Sequence, residues 1–145
     1  MNKRNLLDLN VLIALADVEH EHYPIAVKWF DSSGYLDWGV CPLTEAGFVR
    51  ISTNPVMGSH LRTLRESADI LSALAKKPGY RFWPISDSWA DLTARFATRI
   101  FGHQQITDAY LLGLAIKENG VLVTFDRGLR YMAGPEFIKN LLVLE

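Results

Sequence analysis

Asp8 stands inside an apolar run, LLDLNVLIAL (residues 6–15), flanked by Leu6, Leu7 and Leu9. An unpaired charge removed from water is costly or shifts its pKa, so this carboxylate needs a partner. Three other acids have a comparable setting. Asp126 ends the β-rich run VLVTFD (121–126), and Glu45 opens a helical stretch behind DWGVCP (37–42). Asp108 begins a further helical stretch, TDAYLLGLAIKENG (107–120). Carboxylates gathered without basic partners repel one another and tend to take up protons. A divalent cation removes that penalty, and magnesium and manganese, being hard, take carboxylate oxygens and water. In a nuclease such ions generate hydroxide, orient the phosphate and stabilise the leaving oxygen.

These acids can meet only if the fold brings their segments together. Residues 5–8 read as a first strand, and Asn10 reads as the N-cap of a helix over 11–16. Pro24 fits the first turn of a second helix, PIAVKWFDSSG, with Gly34 as its stop. Residues 37–42 read as a second strand, followed by a helix that Thr44 caps and that ends at TNP (53–55). Leu61, Leu64, Ala68, Leu71 and Leu74 recur at helical spacing within 61–77. GYRFWPI (79–85) reads as a third strand, and 87–101 as a helix capped by Asp87 or Ser88. The fourth strand, VLVTFD, follows the helix that ends at Gly120. A short helix near 127–132 and a last strand at 140–145 close the chain. This alternation predicts an α/β fold, a parallel sheet with helices on both faces. In such sheets the ligand crevice lies at the carboxyl ends of the strands, where Asp8, Glu45 and Asp126 fall. Asp108 joins them if its helix begins at that edge.

Composition sets the limits. The 145 residues, 49% hydrophobic and 21% charged, suit one globular domain spanning 1–145. A net charge of −1 argues against broad, nonspecific nucleic-acid binding. One cysteine, Cys41, excludes an internal disulfide and suits a reducing cytoplasm. Asp8 and the acids at 17, 19 and 21 break any signal-peptide reading, and no segment has the roughly 20 apolar residues that span a bilayer. A cytoplasmic protein is expected.

Four segments, LLDLNVLIAL, PLTEAGFVRI, QQITDAYLLGLA and LVTFDRGL, resemble the successive motifs of the PIN domain, and most of all its VapC-type toxins. The resemblance spans residues 6 to 129. It implies a three-layer α/β/α fold around a central parallel sheet of about five strands. It also implies Asp8, Glu45, Asp108 and Asp126 as metal-binding, catalytic acids, Mg²⁺- or Mn²⁺-dependent cleavage of RNA, and inhibition by a cognate VapB-type antitoxin. Homodimers are usual in that family. Thr124 matches a family hydroxyl near the site, and Asn10 the common polar residue two places after the first aspartate.

Taken singly, each acid also has an ordinary role: Asp108 and Glu45 as first-turn helix acids, Asp126 as a cap. Arg50 and Arg127 follow two of the acids and suit RNA phosphates, or equally a solvated or salt-bridged arginine. His20, His22 and His103 lack the cysteines and spacing of a zinc site. Trp29, Phe30, Trp89 and Phe96 fit a core or a dimer interface better than a base-stacking platform. Two other functions compete with the ribonuclease. An α/β phosphatase of haloacid-dehalogenase type wants an acid where Asn10 stands. A receiver-like or scaffolding module would bind metal and a protein without catalysis; it wants a lysine near the last strand, and Lys139 is the one candidate.

Overall fold

The computed structural model describes residues 3–56 and 61–145. Leu6 and Leu7, successive residues of strand β1 (Asn5–Leu7), point to opposite faces of the sheet and enter different apolar clusters. Leu122 and Val123 of β3 (Val121–Thr124) divide in the same way. A strand that is apolar on both sides is one covered on both sides, so the sheet forms the middle layer of three. With β2 (Trp38–Gly39) and β4 (Leu141–Val143), four strands run parallel in the order β2-β1-β3-β4.

One face carries α1 (Leu9–Ala16), α2 (Tyr23–Ser32), α3 (Pro42–Ser52) and α4 (Leu64–Ala75), packed around Val11, Leu12, Trp38 and Phe48. The other carries α5 (Trp89–Thr93), α6 (Ile106–Lys117) and α7 (Leu129–Phe137) around Trp83, Phe96, Leu112 and Met132. Helix α6 is buried over most of its length, and Gly113 lets α5 press against it: a Cβ there would overlap the Leu92 carbonyl oxygen. From β1 the chain runs outward to β2, then returns to β3 on the other side of β1. That reversal opens a crevice at the carboxyl ends of β1 and β3.

The α/β architecture is the expected one, with four strands instead of about five. Segment 79–85 does not become a full strand. The Tyr80–Trp38 bridge is isolated, although Arg81 and Trp83 donate to the carbonyls of Trp38 and Val40 at 2.8 and 3.0 Å. Gly79, at φ +83°, turns the chain in, and Pro84 has no N–H with which to continue.

Two caps also differ from expectation. Asp8, not Asn10, caps α1, because its extended backbone (φ −68°, ψ 156°) lets the helix begin at Leu9. Helix α3 starts at Pro42, whose fixed φ and missing N–H suit a first position. Thr44 therefore lies inside the helix, buried, with its hydroxyl 3.5 Å from the Leu7 carbonyl. The helix expected over 87–101 divides into α5 and 3-10 turns at Ala94–Arg99, because Phe96 (φ −130°) leaves the helical region to enter the core. Helix α6 stops at Lys117, and Asn119 (φ 51°) makes the left-handed turn into Gly120.

Candidate active site

The acid edge is assembled from the tips of the two central strands. Asp8 follows β1 and is 6% exposed. Its Oδ1 accepts from the Leu9 N–H at 2.7 Å, and its Oδ2 accepts from the Thr124 hydroxyl at 2.7 Å. That hydroxyl also accepts from Asn10 Nδ2 at 3.3 Å and from the Asp126 N–H at 3.1 Å. The Oδ1 of Asn10 in turn accepts from the Phe125 N–H at 3.3 Å. A closed network of side chain and backbone thus joins the end of β1 to the end of β3 and fixes the Asp8 carboxylate. Asp126, one step past Phe125, is exposed, and its Oδ1 accepts from the Gly128 N–H at 2.8 Å. Asp108 lies half-buried in the first turn of α6, so that helix does begin at this edge.

Electrostatics identify the acids that share a space. Burial pushes Asp108 up to about 7, and the charges of Asp8 and Asp126 add to the shift. Burial also raises Asp8, with a contribution from Asp126, against the lowering effect of the Thr124 and Leu9 hydrogen bonds. Glu45, half-buried in the first turn of α3, is raised by burial alone. Its charge is felt by Tyr80, which burial, then Glu45 and Cys41, push up to about 12. Asp8, Asp108 and Asp126 thus form one interacting group, while the charge of Glu45 acts on Tyr80. Among the described residues, none of the four has an ion pair.

The chemistry of the donors is that of a hard cation site: carboxylate oxygens, no sulfur, mutual repulsion and no basic partner. Among the described residues, no three His, Cys, Asp or Glu side chains close on one point as a ready-made cage. Such a set fits magnesium or manganese held through one or two carboxylates and retaining its water, and does not fit an all-protein site.

The other candidates fall as follows. Asn10 and Thr124 both enter the network. Arg127 pairs with Glu145 at 3.6 Å, alongside Arg130 at 2.7 Å. Arg50 is exposed in the last turn of α3, with no carboxylate in reach among the described residues. Lys139 shares a cavity with Lys3 and Asn5 at the amino end of the sheet, far from where a receiver's phosphate partner would stand. One neighbour escaped the sequence pattern: the His22 ring stacks on Phe125, with centroids 4.8 Å apart. Nothing in the spacing of EHEHYP marks a loop that folds back onto the strand at Phe125.

The PIN domain model matches residues 6–135. The chain belongs to the PIN-domain family. This PIN domain is 41% identical over 128 residues to Ribonuclease VapC38 of Mycobacterium tuberculosis, covering 88% of this chain and 89% of that one. It is 35% identical over 136 residues to Ribonuclease VapC39 of the same organism, covering 94% and 98%. In fold it resembles the VapBC2 crystal structure from Rickettsia felis, solved with a promoter DNA fragment, at TM-score 0.65 and 14% identity over 97% of this chain and 98% of that one. It also resembles FitAcB from Neisseria gonorrhoeae, at TM-score 0.61 and 18% identity over 89% and 92%. Among the described residues of the PIN domain no helix is long and apolar enough to cross a membrane.

Proposed function

We propose that this PIN domain is the ribonuclease toxin of a toxin–antitoxin pair, cleaving RNA phosphodiesters with the help of Mg²⁺ or Mn²⁺. One observation carries the reading: three mutually repelling carboxylates without cationic partners, delivered by β1, α6 and β3 to one crevice. The relatives named ribonucleases support it at the level of the reaction.

Of Asp8, Glu45, Asp108 and Asp126, one or two carboxylates would hold the ion directly and the others would reach it through its water. When bound, such an ion supplies an activated water and offsets charge developing on the phosphate. The chain's own residues do the positioning. The Thr124 hydroxyl and the Leu9 N–H fix both Asp8 oxygens, so that the carboxylate needs little reorganisation to bind. With its carboxyl pushed up to about 7, Asp108 is partly protonated near neutral pH in the metal-free protein and would give up that proton to bind a cation. By the same reading the chain pairs with itself and with a VapB-type antitoxin, and it works in the cytoplasm.

The test uses purified full chain and labelled RNA, with and without a chelator. Cleavage is expected in Mg²⁺ and is lost with EDTA or Asp8→Asn. Wild-type rates from Asp8→Asn, or undiminished cleavage in EDTA, would overturn the mechanism.

A further inference from the structure

Phe101 and Tyr131 stack on one another in open solvent. Their ring centroids are 5.0 Å apart and their planes 20° from parallel, yet they remain 74% and 57% exposed. Neither belongs to the two core clusters. Two large wet rings forgo the free energy that burial would return, which marks such a patch as a contact surface.

The pair sits on the elements that carry two of the acids. Phe101 precedes the 3-10 turn His103–Gln105, which runs directly into α6 and Asp108. Tyr131 lies in the first turn of α7, shortly after Asp126. The stacked rings thus tie the approach to α6 to the start of α7, close in sequence to both carboxylates. The Phe101 backbone is also held, its N–H donating to Gln105 Oε1 at 2.7 Å.

The surroundings are cationic. Arg99 gives its Nε and Nη2 to the carbonyls of Met132 and Ala133 at 3.0 and 3.1 Å, and no carboxylate among the described residues pairs with it. Arg99, Arg130 and Tyr131 line a shallow cavity of about 390 Å³. Arg127 and Arg130 share a single carboxylate side chain, that of Glu145.

We propose that the Phe101–Tyr131 pair is a nucleobase platform. An unpaired base of the RNA substrate stacks on the rings, Arg99 and Arg130 attract the adjoining phosphate, and a neighbouring phosphodiester is presented to the acids. This rests on the ribonuclease reading above. A flat π face accepts any base, so the platform selects an unpaired nucleotide and not a sequence. Charge favours a nucleic acid as the occupant: Arg99 and Arg130 line the cavity beside Tyr131, and Arg99 spends its donors on backbone carbonyls and has no carboxylate partner among the described residues.

The test uses the full chain carrying Asp8→Asn, in which Asn retains the α1 cap and the RNA stays intact. Fluorescence anisotropy measures binding to a randomised single-stranded RNA oligomer of about a dozen nucleotides and to its abasic counterpart. Phe101→Ala and Tyr131→Ala are each expected to weaken binding to the base-bearing oligomer by about 5- to 150-fold, the worth of stacking one base. Affinity for the abasic oligomer stays unchanged, and Phe101→Trp retains full binding. Equal weakening toward both oligomers, or toward neither, overturns the platform. If Asp8→Asn protein binds neither oligomer, the ribonuclease reading falls with it; if it binds both and ignores the alanine changes, the platform falls alone. A change in the number of copies per particle by light scattering, in either alanine variant, makes the patch an interface between copies and also overturns the proposal.

Discussion

Replacing Asp108 by Asn tests whether the acids burden one another. Asp108 shifts from 3.8 to about 7 in the folded protein, by burial first and then by the charges of Asp8 and Asp126. At about 1.36 kcal/mol per unit the shift corresponds to about 4 kcal/mol. Part of the carboxyl remains in water, so screening reduces this to about 2 kcal/mol. The folded chain binds this proton more tightly than the unfolded chain does. The metal-free protein therefore holds this contribution in full below about pH 4, loses it as the pH rises, and levels off above about pH 7. Urea unfolding in EDTA at a series of pH values from 4 to 8 should show that decline. Asp108→Asn should flatten most of it and leave the variant more stable than wild type at pH 8. Mg²⁺ should restore the wild type at pH 8 and do much less for the variant. A pH slope as steep in Asp108→Asn as in wild type would refute the picture of mutually repelling acids.

Thr124→Val keeps the shape of the side chain but strips the hydroxyl from Asp8 Oδ2, Asn10 Nδ2 and the Asp126 N–H. It should cost about 1–3 kcal/mol in urea unfolding and slow RNA cleavage. Gly39→Ala drives a Cβ into the Arg81 carbonyl oxygen at the sheet edge and should cost about 1–3 kcal/mol, read as a lowered urea midpoint. Asp8→Asn should unfold near the wild-type midpoint, because Asn caps a helix as well as Asp, while cleaving no RNA above background.

Much of this molecule is legible from local signals. Asp8 and Asp126 at the ends of apolar strands mark a strand-end crevice, and the double-faced hydrophobicity of Leu6–Leu7 and Leu122–Val123 marks a covered sheet. What escapes is set by tertiary competition. Asn10 has the chemistry of a cap, yet Thr124 and Phe125, more than a hundred residues away, recruit its side chain and leave the cap to Asp8. Thr44 looks like a cap until Pro42 claims the first position of α3. The aromatic wealth of GYRFWPI suggests a strand, but Trp83 is buried beneath the sheet's edge while Phe82 faces outward, and pairing stops at Pro84. Glu45 shows a coupling that local sequence does not carry: its charge acts on Tyr80, thirty-five residues away. Sequence order cannot tell which side of a crevice a first-turn helix acid occupies.

The dual employment of Asp8 has a genetic consequence. Its carboxylate both faces the crevice and closes the first turn of α1. Most replacements would injure the helix together with the chemistry, but Asn would spare the helix, and an Asp codon becomes an Asn codon by one transition. The simplest mutational escape from this protein's action therefore leaves a folded, inert copy that still offers its surfaces to whatever binds them. Cells that silence it this way would carry a folded decoy.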